Sequence, residues 1–344
     1  MDKEKSLLDI RNLKVYYPIK TGVFKRTTGY VKAVDDLSLT VYKGETLGLV
    51  GESGCGKTTL CKALVMLNQP KEGTITYHAP EGDIDLRTKK KDQIRAARKY
   101  IQYVFQDPQS SLNPSKTVFG SMDDALKIRG IKSKQERRKI VQDLLEAVNM
   151  RPDQLDNFPN EFSGGQRQRI GIARALCVSP ELVICDEAVS ALDVSIQAQV
   201  LNLLQELKEK RNLTYVFITH DLSVVEYISD RIAVMYLGHI VELADTEALF
   251  AHMYHPYTRA LRSAVPVADV NVKKERIVLT GDVPNPANPP KGCPFHPRCW
   301  ECTGKCMEEM PQLKNYLVDG KPYSVACHKA HEQLKDMEIK EDLL

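Results

Sequence analysis

The sequence predicts an α/β fold in which a strand leads through a glycine-rich loop into a helix. The apolar, partly β-branched run TLGLV at 46–50 has the composition of a buried strand. The loop GESGCGKTT follows at 51–59, and LCKALVML at 60–67 places apolar residues at helical spacing. Strand-like and helical segments continue to alternate further along, as in ELVICDE and TYVFITH. These observations indicate an α/β layer with a loop of special function at one strand–helix junction.

The glycine-rich loop predicts a phosphate-binding site. Gly51, Gly54 and Gly56 let the backbone curl so that successive N–H groups face one concavity at the positive end of a helix. Lys57 can reach the outer phosphates as a point charge, and the Thr58 hydroxyl can ligate a magnesium ion that bridges them. The expected phosphate contacts are Gly51, Glu52, Ser53, Gly54, Cys55, Gly56, Lys57, Thr58 and Thr59. The alternative is a glycine-rich turn with an exposed lysine, which the flanking strand and helix disfavour.

Composition and charge bound the class of protein. The chain has 344 residues, enough for one large domain and a smaller piece, and 42% of them are apolar. Its 48 basic and 45 acidic residues give a net charge of +3, and the most basic run, at 87–99, is short enough to be a solvated face. The N-terminus lacks an apolar signal core, and the apolar stretches fall short of the roughly 18 residues that a bilayer span needs. We expect a globular, cytosolic chain that does not bind nucleic acid.

Helical segments interrupt the α/β pattern in the middle of the chain. Strand-like pieces dominate at 8–50 and again at 73–105, whereas 118–150 carries apolar residues three and four apart, as in amphipathic helices. A long helix is predicted at about 194–210. The proline-rich stretch at 281–292 predicts an extended linker before a cysteine-rich tail.

A pair of acidic residues follows a predicted buried strand. The apolar residues LVIC at 182–185 precede Asp186 and Glu187. Asp186 at the strand end can hold the magnesium ion through water, and Glu187 can orient and deprotonate an attacking water, as phosphoryl transfer to water requires. The alternative, an acidic pair that only caps a strand, is weakened by the phosphate loop in the same chain.

The segment FSGGQRQRIGIARAL at 162–176 predicts a second anion site. Ser163 is a good N-cap, and Gly164 and Gly165 clear side chains from the start of a strongly helical run. One chain cannot easily fold both anion sites onto one nucleotide. We therefore expect a head-to-tail dimer in which this segment covers the nucleotide on the partner's phosphate loop. An ordinary glycine-containing helix cap is the alternative.

Short motifs occur in the order and approximate spacing of the ATP-binding cassette (ABC) ATPases. They are GESGCGKTT, FQDP, FSGGQ, LVICDE, SALD and ITHD. By this resemblance, residues 1–260 are expected to form one P-loop, ABC-type nucleotide-binding domain with a helical subdomain at about 108–180. Residues 261–344 are then a C-terminal extension that carries the cysteines. The resemblance implies that the chain binds ATP and Mg²⁺ and hydrolyses ATP.

The resemblance also assigns roles that spacing alone does not. Gln106 resembles the glutamine that senses Mg²⁺ and the attacking water while contacting the membrane partner. His220 resembles the histidine that contacts the γ-phosphate and holds Glu187 in register with the water. Asp193 resembles the aspartate that links the two ATP sites across the dimer. The nucleotide-contacting signature segment corresponds to Ser163, Gly164, Gly165 and Gln166.

An aromatic residue near the N-terminus is expected to stack on the adenine of the nucleotide. Tyr17 in LKVYYP is our choice, and Tyr16 and Tyr30 are the alternatives. The loop PIKTGVFKRTTG that follows at 18–29 makes the alignment with the family approximate. A packing role in the strand is the competing interpretation of these tyrosines.

Longer stretches narrow the resemblance to the ATP-binding subunits of oligopeptide and dipeptide permeases. They are FQDPQSSLNP, SGGQRQRIGIARAL, SALDVSIQAQVLNLL, YHPYTRAL and VPNPANPPKGCPFHPRC. The glutamine at Gln166 resembles the second of the two ATPase subunits that such importers carry. Two positions depart from the family, since Ala188 stands where proline is common and Cys302 is an extra cysteine.

This resemblance implies a peripheral subunit at the cytoplasmic face of the cell membrane. The expected partners are two transmembrane permease subunits, a second homologous ATPase subunit and, indirectly, an extracellular or periplasmic solute-binding protein. The stretch from Ser110 to Lys127 is expected to contact the permease subunits. The alternative function is that of a soluble ABC-type mechanoenzyme acting on nucleic acid or ribosomes, which the single cassette and the lack of sustained heptads disfavour.

Cysteines concentrate near the end of the chain, where four of them resemble the site of a four-iron, four-sulfur (4Fe-4S) cluster in the same family. They are Cys293, Cys299, Cys306 and Cys327, with five, six and twenty residues between them. Four thiolates suit such a cluster or tetrahedral zinc, and spacing alone does not choose between them. Cys302 and His296 are competing ligands, and reduced cysteines without metal are the remaining alternative. We expect the group to order a tail that has little apolar content.

Overall fold

Two β-sheets and the helices packed on them build the structure, a computed structural model that describes residues 6–22, 24–87, 91–107, 111–265 and 276–339. The strands are β1 (Ser6–Thr21), β2 (Arg26–Tyr42), β3 (Thr46–Val50), β4 (Glu72–Ala79), β5 (Gly82–Asp85), β6 (Ile101–Val104), β7 (Leu182–Asp186), β8 (Thr214–Thr219), β9 (Arg231–Tyr236), β10 (His239–Asp245), β11 (Lys314–Val318) and β12 (Lys321–Val325). Within the described residues, the α-helices are α1 (Lys57–Leu64), α2 (Lys91–Tyr100), α3 (Val118–Ile128), α4 (Lys134–Ala147), α5 (Gly164–Leu176), α6 (Val194–Arg211), α7 (Leu222–Ile228), α8 (Thr246–His252), α9 (Pro256–Ala264), α10 (Gly304–Glu308) and α11 (His328–Gln333).

The larger sheet has eight strands in the order β11-β12-β10-β9-β3-β8-β7-β6. Five of them, from β9 to β6, run parallel, and the remaining three extend the sheet antiparallel. Strands β3, β7 and β8 are buried at every position, as expected for parallel strands covered on both faces. The predicted α/β fold is confirmed. The carboxyl ends of these parallel strands therefore meet at one edge, where ligands of such sheets bind.

A smaller antiparallel sheet, in the order β2-β1-β4-β5, packs beside the larger one. Its inward side chains, such as Leu8 and Ile10, share one apolar core with Leu60 and Leu64 of α1 and with Leu49 of β3. Helix α1 is thus fixed between the two sheets, directly after the phosphate loop. This packing holds the start of α1 in place.

Helix α1 ends earlier than the apolar run that predicts it. The run continues to Leu67, whereas the helix ends at Leu64. Met66 adopts a positive φ of 56°, and the Leu67 N–H donates to the Lys62 carbonyl (2.8 Å), which closes the helix in a wide turn. The last apolar residues therefore belong to the turn.

Helices α3, α4 and α5 occupy the region that the sequence marks as a helical insert. Thr117, Ser133 and Ser163 cap them, each accepting a backbone N–H from the first turn. The amphipathic pattern at 118–150 is confirmed as two helices, separated at Gly130 with a φ of 97°. The start of the predicted subdomain and Ser110 lie outside the described residues.

The C-terminal segment is built onto the larger sheet. Strand β12 pairs with β10, with Val325 opposite Glu242, and β11 completes a hairpin. Tyr316 and Tyr323 are fully buried in the same core as side chains of β7, β8 and β9. The expected shortage of apolar content in the tail is therefore wrong, because its aromatic residues contribute to the main core. Among the described residues, no helix combines the length and the apolar character that a membrane crossing requires.

Candidate functional site

The phosphate loop connects β3 to α1 with a backbone that only glycine adopts easily. Gly51 and Gly56 have φ values of 155° and 110°. A Cβ on Gly51 would lie 2.1 Å from the Met235 carbonyl oxygen, and one on Gly56 would lie 2.1 Å from that of Ala33. These two glycines therefore serve both the curl of the loop and its close approach to neighbouring backbone.

Lys57 lies folded into the loop. Its side chain is buried, and Nζ donates to the carbonyl oxygens of Gly51 (2.7 Å) and Glu52 (3.0 Å). The ammonium group thus lies within the loop, at the first residue of α1. A phosphate in the concavity would be close to both the lysine and the positive end of the helix.

Asp186 lies at the end of β7, and its carboxylate accepts hydrogen bonds from two hydroxyl groups. Thr58 donates to Oδ1 (3.0 Å) and Tyr103 donates to Oδ2 (2.5 Å). Asp186 is 3% exposed, so its carboxylate oxygens depend on these donors for hydrogen bonds that water cannot supply. Burial is the main cause that raises the pKa of Tyr103, and the hydrogen bond to Asp186 is the second. Hydroxyl and carboxylate oxygens brought together in this way are the donors that Mg²⁺ prefers, so the residues fit the predicted ion.

Tyr103 is absent from the sequence-based site. It lies in β6, opposite Ile184 of the neighbouring β7, and its ring packs against Phe105 with centroids 4.7 Å apart. The signal in the sequence that could have indicated a role for Tyr103 is its position in a strand-like run, three residues before Gln106. The pairing of β6 with β7 was needed to relate it to Asp186.

The three predicted catalytic residues come together beyond the ends of β6, β7 and β8. Gln106 Nε2 donates to Glu187 Oε2 (2.7 Å), and His220 Nδ1 lies 3.6 Å from Glu187 Oε1. Glu187 has a φ of 47°, and its N–H donates to the Ile218 carbonyl oxygen (3.0 Å). A left-handed glutamate costs about 1–3 kcal/mol of backbone strain, which is typical of functional positions. The arrangement can orient a water and accept its proton.

The signature segment and Asp193 meet on another exposed surface. Ser163 Oγ accepts from the Gln166 N–H (3.4 Å), and Gln166 Oε1 accepts from the Ser163 N–H (2.9 Å). A Cβ on Gly165 would lie 2.5 Å from Ile196, which explains the small residue there. The two bonds between Ser163 and Gln166 form a reciprocal capping box. Asp193 caps α6 by accepting from the Ile196 N–H (3.0 Å), and this bond is the main reason that the pKa of Asp193 is lowered.

Of the three candidate aromatic residues, Tyr17 lies beside α1. Its hydroxyl accepts from Asn68 Nδ2 (2.7 Å) and lies 3.5 Å from Thr59 Oγ1, and the residue is 41% exposed. Tyr16 instead donates to Asp35, and its ring lies 6.3 Å from that of Tyr30. The placement favours Tyr17 for the adenine contact, which stays a prediction.

The predicted cysteine ligands converge on one small cavity of about 20 Å³ in the C-terminal segment. Its cysteines are Cys293, Cys299, Cys306 and Cys327. His296 also borders this cavity, whereas Cys302 is not among the described residues that do. Burial raises the pKa of Cys293 to about 12 and that of Cys299 to about 11. Nowhere in the described ranges do three His, Cys, Asp or Glu side chains stand in a ready metal-holding arrangement.

Sequence reasoning also missed two residues that hold Glu52 of the phosphate loop. The Glu52 N–H donates to the Tyr257 hydroxyl (2.7 Å), and the Glu52 carboxylate accepts from Arg298 (2.6 Å). Tyr257 is the second residue of α9, and Arg298 precedes Cys299 in the C-terminal segment. No local pattern links them to the loop.

Two family models match the chain. The model described as ABC transporter matches residues 34–190, and the model described as oligopeptide/dipeptide transporter, C-terminal region matches residues 241–306. The second match begins inside β10 and ends before β11, so the C-terminal hairpin lies outside it.

Similar proteins extend over nearly the whole chain. The oligopeptide transport ATP-binding protein AppF of Bacillus subtilis is 50% identical over 328 residues, covering 94% of this chain and 98% of its own length. The dipeptide transport ATP-binding protein DppF of Haemophilus influenzae is 48% identical over 324 residues, covering 93% and 96%. Relatives with these names give no support to a soluble mechanoenzyme that acts on nucleic acid or ribosomes.

Solved structures share the fold. A dimeric post-hydrolysis state of the ATP-binding cassette MJ0796 bound to ADP and Pi has a TM-score of 0.60 and 28% identity, covering 70% of this chain and 99% of that one. The cbiO1 protein of Clostridium perfringens, described as part of the ABC transporter complex cbiONQ, has a TM-score of 0.60 and 25% identity, covering 73% and 92%. The chain thus belongs to the ABC transporter family and is one of its ATP-binding, ATP-hydrolysing subunits.

Proposed function

We propose that the chain hydrolyses ATP to drive a membrane importer of oligopeptides or dipeptides. The match of residues 241–306 to an oligopeptide/dipeptide transporter region supports this solute class. The names of AppF and DppF, which are similar over more than nine-tenths of this chain, support it too. The observation that carries the hydrolytic part is the convergence of Gln106, Glu187 and His220 beside Asp186.

In the proposed reaction, Glu187 accepts the proton of the attacking water. Gln106 and His220 flank its two carboxylate oxygens and hold the water in line with the γ-phosphate. Lys57 leaves the loop carbonyls to bind the outer phosphates. Thr58 and Asp186, with Gln106, would hold Mg²⁺, which when bound offsets the negative charge of the triphosphate.

The working unit is proposed to be a head-to-tail dimer with a second homologous ATPase subunit. Ser163 and Gln166 at the start of α5 and Asp193 at the start of α6 lie on one exposed surface, which suits contact with a nucleotide held by the partner. The dimer would bind two transmembrane permease subunits, peripherally at the cytoplasmic face of the membrane, through the helices after Gln106. A solute-binding protein would deliver the peptide from the other side.

The cysteine-rich extension is proposed to hold a 4Fe-4S cluster, with zinc as the alternative. Its support is the convergence of four thiols on one cavity, since four sulfur donors suit either group. The cavity, at about 20 Å³, has room for about one water-sized atom before its walls move. Either group would require the cysteine side chains to move, because no three described ligand side chains stand in a metal-holding arrangement, and a cluster would require the larger, outward movement.

The cysteine proposal is tested by purifying the full chain without oxygen and measuring iron, sulfide and zinc together with visible absorbance. Replacement of Cys327 by serine should remove the bound metal, because it removes one of four cavity thiols. Cys302→Ser is the matched control and should keep the metal. Wild-type protein free of iron and zinc would refute the proposal.

The hydrolytic proposal is tested by Glu187→Gln. The amide keeps an oxygen for the Gln106 bond but cannot take a proton, so turnover should fall by roughly 10²–10⁴-fold while ATP binding persists. Glu206→Gln on the exposed face of α6 is the control and should keep wild-type turnover. Undiminished hydrolysis in Glu187→Gln would refute the assignment of the base.

The transport proposal is tested in the native cell. The chain is tagged, membranes are solubilised gently with a non-hydrolysable ATP analogue present, and co-purifying proteins are identified by mass spectrometry. Two multi-spanning proteins and a second ABC ATPase are the expected result. Recovery with ribosomes or nucleic acid instead would contradict the importer.

A further inference from the structure

An ion pair joins the phosphate loop to the C-terminal segment. Arg298 donates from Nη1 to Glu52 Oε2 (2.6 Å) and from Nη2 to Glu52 Oε1 (3.1 Å). The side chain of Arg298 is 7% exposed and that of Glu52 is 27% exposed. A two-pronged pair of this kind fixes the orientation of the carboxylate as well as its charge.

The backbone of Glu52 is held from the same side. Its N–H donates to the Tyr257 hydroxyl (2.7 Å), and Tyr257 is fully buried. The Tyr257 ring lies 4.7 Å from that of Tyr236 and 5.4 Å from that of Phe295. Phe295 precedes the short turn His296–Arg298, so one packed cluster supports both contacts.

The contacts that Arg298 and Tyr257 make with Glu52 differ from those of Lys57 in how they respond to a bound nucleotide. Inside the loop, Lys57 bonds to the carbonyl oxygens of Gly51 and Glu52. A phosphate that attracts Lys57 competes with those bonds. The contacts from Arg298 and Tyr257 lie instead on the Glu52 carboxylate and backbone N–H, which Lys57 does not hold, so they keep the first turn of the loop in place when Lys57 moves.

Charge gives the ion pair a second consequence. The Glu52 carboxylate belongs to a loop that binds an anion, and without a partner its charge would oppose the triphosphate. Arg298 neutralises it. We infer that Arg298 is a positioning residue for nucleotide binding, which keeps Glu52 neutralised and directed away from the phosphates. This inference rests on the proposed nucleotide site and makes the C-terminal segment part of it.

The test measures ATP affinity of the full chain by titration with a fluorescent ATP analogue. Arg298→Ala should weaken binding by about tenfold, equivalent to about 1.4 kcal/mol. In steady-state assays the change should appear in KM more than in kcat, because the catalytic residues are untouched. Arg298→Lys should recover part of the affinity, since it restores the charge without the two-pronged geometry. Lys314→Ala, which removes the exposed Lys314–Glu338 pair of the same segment, should bind like wild type.

A double variant separates neutralisation from general damage to the fold. In Glu52→Gln/Arg298→Ala the unpaired charge is gone, so affinity should return towards the wild-type value. Arg298→Ala binding as tightly as Lys314→Ala would overturn the inference, and so would a double variant as weak as Arg298→Ala. If Arg298→Ala does not fold, Arg298→Lys is compared with the wild type, and equal affinities overturn the inference. A wild-type chain that fails to bind the analogue would refute the nucleotide site itself.

Discussion

Tyr103→Phe removes one hydroxyl from the buried carboxylate of Asp186. The Phe105 contact and the ring packing remain, so the change isolates the hydrogen bond to Oδ2 (2.5 Å). A hydrogen bond to a charged group contributes about 1.5–3 kcal/mol. Loss of a residue that orients a metal ligand typically costs about 10–100-fold in metal affinity. That range equals about 1.4–2.7 kcal/mol, so both estimates agree.

The assay follows ATP hydrolysis against Mg²⁺ concentration at saturating ATP. Tyr103→Phe should need about 10–100-fold more Mg²⁺ for half-maximal rate, because the Asp186 carboxylate loses one of its two donors. Tyr100→Phe, whose hydroxyl donates to the exposed Glu81, is the matched control and should keep the wild-type requirement. An unchanged Mg²⁺ requirement in Tyr103→Phe would show that the hydroxyl does not organise Asp186.

Two further predictions concern stability. Gly56→Ala should lower the unfolding free energy in urea by about 2–6 kcal/mol, since the new Cβ meets the Ala33 carbonyl oxygen at a φ of 110°. Gly54→Ala has open space and only the backbone strain, so it should lose about 1–3 kcal/mol, and equal losses in the two variants would contradict the argument. Burial raises the pKa of Glu242 from 4.5 to about 7, so the folded state holds this proton more tightly and wild-type stability should fall as pH rises through that window. Glu242→Gln should lack this part of the pH dependence, and parallel stability curves for both proteins would refute it.

Features that depend on neighbouring residues could be predicted from the sequence. The curl of GESGCGKTT follows from its own glycines, and the position of Asp186 at a strand end follows from the apolar run before it. The helix cap at Ser163 is equally local. In each case the physical cause lies within a few residues of its effect.

Contacts across long stretches of chain could not be predicted in this way. Tyr103 and Asp186 are 83 positions apart, and Glu52 and Arg298 are 246 apart. Each pairing exists only once parallel strands and the C-terminal segment have been placed. The same holds for the tail, because its aromatic residues become core residues only through the pairing of β12 with β10.

The pairing of β12 with β10 also matters for how the chain is made on the ribosome. Strand β10 ends at Asp245 and its partner ends at Val325, so 80 residues must emerge before that edge is covered. At about 5–20 residues per second, this leaves the unpaired edge exposed for roughly 4–16 s. Open edges of this kind recruit strands from other chains. Truncation within the tail is therefore expected to favour aggregation of nascent protein, even where every residue of the phosphate loop is present.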